Sequence, residues 1–79
     1  MDIHLARKMV SAAFESGRVL GNLLPVLKQS LPPEEYRACA HDLGVAIDAT
    51  NTALLARAIS AHPELETEID AAMQQRGFY

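Results

Sequence analysis

The sequence predicts an all-α fold: a long antiparallel helical hairpin and a shorter C-terminal helix, paired with a second copy into a dimeric four-helix-type bundle. Three observations lead to this prediction. Apolar residues recur at steps of three and four, which is the repeat of an amphipathic helix. Prolines divide the chain into three stretches. Only 5% of the 79 residues are aromatic, so small aliphatic side chains supply most of the 49% that are hydrophobic. A chain this short forms a single helical domain, residues 1–79.

The first predicted helix covers residues 3–24. Pro25 removes a backbone donor and clashes with the preceding turn. The helix therefore either kinks there and continues to Ser30, or ends near Asn22 and restarts. Its main apolar stripe consists of Ile3, Ala6, Val10, Ala13, Gly17, Leu20 and Leu24.

The second predicted helix covers residues 33–61. Pro33 suits a first helical turn, and the carboxylates of Glu34 and Glu35 favour the positive end of the helix dipole. The short polar side chains of residues 48–52 compete for backbone hydrogen bonds, so continuity through Thr50 is open. The apolar stripe consists of Tyr36, Ala40, Leu43, Ile47, Thr50, Leu54, Ala58 and Ala61.

The third predicted helix covers residues 63–76. Pro63 again marks a first turn, and Gly77 is placed to cap the C-terminus. Two rings follow, Phe78 and Tyr79. They either insert into a groove of a partner or close over the end of the bundle.

Oligomerisation is expected because a domain of this size buries only about 60% of the surface that its unfolded chain exposes. Small domains usually make up for this low stability with disulfides, a bound metal or association with another chain. Cys39 is the only cysteine, and no two of His4, His41 and His62 have the i, i+4 spacing of a helical metal site. Association remains, and we expect a homodimer. The alternative is a compact monomer in which the third helix folds back over the first.

The predicted interface follows from the breadth of the apolar surface on the first helix. Leu5, Met9, Ala12, Leu23 and Val26 add to its main stripe, so this surface is wider than one partner helix needs. Small residues spaced by four also favour a close helix crossing. The candidate interface consists of Met9, Ala13, Gly17, Leu20, Gly21, Leu24, Leu43, Ile47, Leu54, Phe78 and Tyr79.

Charge divides the chain into halves of opposite sign. Residues 1–31 hold four basic and two acidic side chains, whereas residues 32–79 hold three basic and eight acidic ones. This favours antiparallel packing of the first segment on the rest, within a chain or between chains. The four cations of the first segment are dispersed and the pI is about 5.4, so nucleic-acid binding is not favoured.

The N-terminal residues lack the basic start, apolar run and cleavage site of a secretory signal, so we expect a cytoplasmic protein. Charged residues interrupt every apolar run before it reaches the 18 residues of a transmembrane helix. Membrane insertion is therefore not expected.

No catalytic constellation is readable. His41 and Asp48 share the polar stripe of the second helix but lie two turns apart, about 11 Å, which is too far for a hydrogen bond between them. Cys39 borders the apolar stripe and is expected to be a small buried hydrophobe. No motif for a cofactor or a metal is present.

The sequence therefore favours a small protein–protein interaction module or regulator that acts as a homodimer without catalysis or cofactor. Two alternatives belong to other classes. One is a nucleic-acid-associated regulator that uses the basic face of the first helix. The other is a small-ligand binder or enzyme with a pocket between helices and His41 or Cys39 at its rim.

Overall fold

The computed structural model describes all 79 residues, and every regular element in it is a helix. The predicted all-α class is therefore confirmed. None of the helices is both long and apolar enough to cross a membrane. The elements are α1 (Ile3–Gly21), α2 (Leu23–Ser30), α3 (Pro33–Thr50), a π-helical segment (Asn51–Ala56), α4 (Arg57–Ala61) and α5 (Leu65–Arg76).

A side-chain cap starts α1, and a proline separates it from α2. The Asp2 carboxylate accepts hydrogen bonds from the backbone N–H groups of His4 and Leu5, at 3.1 and 3.4 Å. At the other end, Pro25 has no N–H to donate to the carbonyl of Gly21, four residues earlier. The helix accordingly ends at Gly21 and restarts at Leu23. Asn22 itself keeps helical dihedral angles, φ −68° and ψ −15°, so the two helices follow each other closely.

The backbone from Pro33 to Ala61 is helical throughout, although its type changes after Thr50. The Thr50 hydroxyl donates a hydrogen bond of 2.9 Å to the carbonyl of Ala46. It therefore competes for a carbonyl that belongs to the helical ladder. The weak segment, residues 48–52, is thus not a break: residues 48–50 complete α3, and Asn51 and Thr52 begin the wider π-helical segment.

The last helix begins two residues later than the sequence predicts. His62 leaves the helical conformation, with φ −137° and ψ 83°, and Leu65 donates its N–H to the carbonyl of His62 at 3.0 Å, so Pro63 lies in a turn before α5. Gly77 ends α5 with a left-handed φ of +78°, and its N–H bonds the carbonyl of Met73 at 2.9 Å. This is the glycine C-cap that the sequence predicts.

The core lies at one end of the molecule, where three helices meet. There α1 packs against α3, the π-helical segment and α4, and α5 covers them. The start of α1 lies beside the end of α4, since His62 Nε2 is 2.7 Å from the carbonyl oxygen of Met1. The seven buried residues are Ala6, Val10, Ala13, Ala58, Leu65, Ile69 and Ala72.

The other end of the molecule is only two helices thick. The 12 residues of α5 span about 18 Å, whereas the molecule is 44 Å long. Neither α2 nor α3 contains a buried residue. We call residues 17–47, which lie beyond the reach of α5, the open end.

Candidate functional site: the open end

The open end contains a run of nine residues without charge. Residues 19–27 read VLGNLLPVL and lie between Arg18 and Lys28. Within this run, Val19, Leu23 and Val26 are 51%, 43% and 55% exposed. Their spacing of four and three places them on one line along the helix surface. Because Asn22 is helical, this line continues across the break between α1 and α2.

A second apolar line lies beside the first. Leu20, Leu24 and Leu27 are half-buried, as are Leu43 and Ile47 of the neighbouring α3. The two lines together give α2 a wide apolar face, and Lys28, Gln29 and Ser30 are its polar residues. The apolar face of a helix is normally buried, yet α2 buries no residue in the chain alone.

Two glycines of α1 lie at the edge of this surface. Gly17 and Gly21 are helical, and neither has a positive φ. A Cβ atom added at either position would meet no atom within 4 Å. The close helix crossing that the sequence predicts at these glycines is therefore absent within the chain.

Ion pairs engage two of the four cations near the N-terminus. Arg7 Nε lies 3.1 and 3.3 Å from the two carboxylate oxygens of Glu68 on α5. Arg18 pairs with Glu15 one turn earlier on α1, and this hydrogen bond, reinforced by the charge of Arg18, lowers the pKa of Glu15. The surface of α1 consequently presents less unpaired positive charge than its sequence suggests.

The two C-terminal rings have different surroundings. Tyr79 packs on Phe14, with ring centroids 5.8 Å apart. Its partial burial, and to a smaller extent the negative charge of Glu68, raise the pKa of Tyr79. Phe78 is 62% exposed, and the guanidinium of Arg76 lies 5.2 Å from its ring centroid. Tyr79 thus closes over the end of the molecule where α5 lies, which we call the covered end, whereas the side chain of Phe78 remains available for contact.

A groove of about 650 Å³ lies beside these rings. Phe14, Met73 and Tyr79 form its apolar wall, and Arg18 lies at its rim. A smaller cavity of about 360 Å³ lies at the tip of the open end, between Lys28 and Tyr36. Both cavities are open to solvent.

The predicted interface residues divide between the core and the open end. Ala13 is 2% exposed in the core of the chain itself, so it has no surface for a partner, and Met9 and Tyr79 also pack against that core. Leu54 is half-buried in the π-helical segment and Phe78 is exposed. The remaining predicted residues lie together at the open end: Gly17, Leu20, Gly21, Leu24, Leu43 and Ile47.

Sequence reasoning missed the most exposed apolar line of the site. The sequence places Leu23 and Val26 on the broad apolar surface of the first helix, but its predicted interface includes neither of them, nor Val19. The signal that would have found all three is the uncharged run between Arg18 and Lys28. Amphipathic analysis favours a single stripe, and for that reason it passes over a helix that is apolar on two sides.

The residues considered for chemistry are not brought together. His41 is exposed and Cys39 is half-buried, and neither lines a cavity. No three His, Cys, Asp or Glu side chains are close enough to hold a metal ion.

Comparisons with protein-family models, with curated proteins and with solved structures give no match for this chain.

Proposed function

We propose that the chain is a small helical protein–protein interaction module that acts as a homodimer, with the open end as its contact surface. The observation that carries this proposal is α2, a helix with apolar side chains on two sides and no buried residue. Such a helix is stable in water when another surface covers it. The helix α5 does not cover it, because α5 ends at Arg76 and the following Tyr79 packs on Phe14 of α1.

The exposed area supports a protein-sized partner. A compact monomer of 8.6 kDa has an accessible surface of about 4,700 Å², whereas this chain exposes 5496 Å². The excess of about 800 Å² means that the chain is less compact than an average monomer of its mass, as expected of a chain that buries more surface against a partner. The radius of gyration also shows that the chain is not compact, because it is 14.9 Å, whereas a compact chain of this length has about 12 Å.

The charges of the open end favour a second copy as that partner. Arg18, Lys28 and Arg37 balance Glu34, Glu35 and Asp42, so two open ends meet without net repulsion. Lys28 on α2, which forms no ion pair within the chain, also complements the three carboxylates on α3. Pairing α1–α2 of one copy with α3 of the other forms a four-helix bundle and fixes its orientation.

Nucleic-acid binding is the weaker candidate. It needs a cluster of free cations, and the pairing of Arg7 with Glu68 and of Arg18 with Glu15 leaves Lys8 and Lys28 apart on the first two helices.

The test is the molar mass in solution, measured by light scattering across a range of concentrations. We expect about 17 kDa, twice the 8.6 kDa of one chain. The double variant Leu23→Glu/Val26→Glu should return the mass to 8.6 kDa, because it places two charges on the uncovered line. Both side chains are exposed in the single chain, so this variant should still fold.

Leu5→Glu is the matched control. Leu5 is also an exposed leucine of α1 but lies at the covered end, and a carboxylate suits the first turn of a helix. This variant should keep the mass of the dimer. A wild-type chain of 8.6 kDa at every concentration contradicts the proposal, as does a double variant that still dimerises.

A further inference from the structure

We infer that His62 makes the contact between the start of α1 and the turn before α5 sensitive to pH. Its imidazole lies between the carbonyl oxygen of Met1 and the carboxylate of Glu64, and we call these three groups the His62 bridge. The inference goes beyond the proposed homodimer, because the bridge lies at the covered end and uses no residue of the open end.

Both ring nitrogens of His62 face an oxygen atom. Nε2 lies 2.7 Å from the carbonyl oxygen of Met1, and Nδ1 lies 3.2 Å from Oε1 of Glu64. A carbonyl and an ionised carboxylate only accept hydrogen bonds, so each nitrogen needs a hydrogen to bond its oxygen. The neutral imidazole carries one N–H and the imidazolium carries two. The neutral ring therefore makes one of the two bonds, whereas the protonated ring makes both.

The carboxylate of Glu64 stays ionised where imidazole is protonated. The backbone N–H of Glu64 is the main cause that lowers the pKa of this carboxyl, and the hydrogen bond with His62 adds to the effect. An ordinary glutamate already ionises at about pH 4.3, below the value of about 6.5 for an ordinary histidine. In mildly acidic solution, His62 therefore donates a charge-assisted hydrogen bond to Glu64.

The charged groups of the neighbouring segments do not bond His62. The carboxylate of Asp2 caps α1, and Arg7 of α1 bonds Glu68 of α5. The only charged residue of α4 is Arg57, which forms no ion pair and lies five residues before His62. The other titratable groups of these segments are exposed: the α-amino group of Met1, His4, Lys8, Glu66 and Asp70. Glu64 is thus the only charged group bonded to His62.

The bridge supports the place where α5 enters the core. The carbonyl of His62 accepts the N–H of Leu65 at 3.0 Å, and Leu65 is one of the two largest fully buried side chains. The side chain of His62 itself is only 21% exposed. By bonding Met1, which precedes α1, His62 holds the start of α1 against this turn. A change in the bridge therefore acts on the packing of α1, α4 and α5.

The direction of the pH dependence follows from the number of bonds. In the folded chain the protonated ring makes one more hydrogen bond than the neutral ring, and unfolding removes both. Protonation of His62 therefore favours the folded chain, so this stabilisation is present at mildly acidic pH and is lost as the pH rises through the titration of the imidazole.

The experiment measures the equilibrium constant of unfolding by urea titration at about pH 8 and about pH 6, on either side of the ordinary titration of imidazole. All variants are compared at one low protein concentration. In His62→Gln, the amide N–H still donates to the carbonyl of Met1 but the side chain takes up no proton. We expect the ratio of the constants, pH 8 over pH 6, to be about two- to fivefold larger for the wild type than for His62→Gln, as for a partly exposed charged pair.

Glu64→Gln tests the other side of the bridge. The side chain of Glu64 is 60% exposed, so this variant should fold even if His62→Gln does not. An amide can donate to a bare ring nitrogen or accept from an N–H, so it bonds both forms of the ring. The pH ratio of Glu64→Gln should therefore fall to that of His62→Gln.

His41→Gln is the matched control. His41 is an exposed histidine of α3, away from the bridge, so its replacement should leave the wild-type ratio unchanged. Wild-type ratios in both bridge variants would overturn the inference. A His41→Gln ratio as low as that of the bridge variants would overturn it as well, because the pH dependence would then not be specific to the His62 bridge.

Discussion

At the scale of single residues, the core is made mostly of alanine. Four of its seven buried residues are alanines, and Leu65 and Val10 are its largest fully buried side chains. Alanine removes little apolar surface from water, so the few larger side chains contribute most of the hydrophobic stabilisation. The first residue of α5 therefore has more influence on folding than its position after a turn suggests.

Leu65→Ala should lower the free energy of unfolding by about 2–5 kcal/mol, because it removes apolar contacts and leaves a cavity between α1, α4 and α5. Leu5→Ala is the control, since Leu5 is exposed and its replacement should change stability by less than about 0.5 kcal/mol. Urea titration followed by circular dichroism measures both. Equal effects of the two substitutions would show that Leu65 does not anchor the core.

At the scale of helical elements, changes in backbone hydrogen bonding interrupt helices along which the apolar stripe itself is continuous. The apolar stripe of the first stretch runs unbroken from Ile3 to Leu24, but Pro25 cannot bond the carbonyl of Gly21, and the helix is interrupted at Asn22. In α3, the hydroxyl of Thr50 takes part in the helical ladder and a π-helical turn follows. Both changes come from single residues whose side chains alter backbone hydrogen bonding.

Pro25→Ala should join α1 and α2 into one continuous helix from Ile3 to Ser30. The new N–H of residue 25 can bond the carbonyl of Gly21, and the stability gain should stay below the roughly 3 kcal/mol that separates proline from alanine in a helix interior. Amide hydrogen exchange measures the change, with slower exchange expected at residues 22–26. Unchanged exchange there would mean that Asn22, and not Pro25, causes the break.

At the scale of the whole molecule, stability is distributed unevenly along the 44 Å axis. Three helices enclose all the buried residues at the covered end, and the open end has only the contact between α1–α2 and α3. Local opening takes least free energy where few apolar contacts hold an element. The open end of a single chain should therefore unfold locally before the covered end does.

Hydrogen exchange at two protein concentrations tests this distribution together with the proposed dimer. At high dilution, amides of α2 and the first half of α3 should exchange faster than those of α5. Raising the concentration should slow exchange at the open end and leave α5 nearly unchanged, because association stabilises what it covers. Slowing that is uniform along the chain, or strongest in α5, would place the contact elsewhere.

The sequence by itself determined the helical class and the approximate extent of the three helical stretches, because the period of apolar residues and the positions of prolines are local properties. The glycine cap at Gly77 was predictable for the same reason. Three residues of the predicted interface, Gly17, Leu20 and Leu24, lie at the open end, and the sequence points to them because they belong to a stripe that is visible in one dimension.

Only the tertiary structure decided which part of that stripe is buried against other helices of the same chain. Ala13 is buried and Gly17 is only half-buried, although both have the same periodicity, because the chain is more thickly packed at the end where α5 lies. Coverage depends on where a distant helix lies in space, and local periodicity carries no information about that. The same reason explains why Val19, Leu23 and Val26 emerged as a surface only when the folded chain left them exposed.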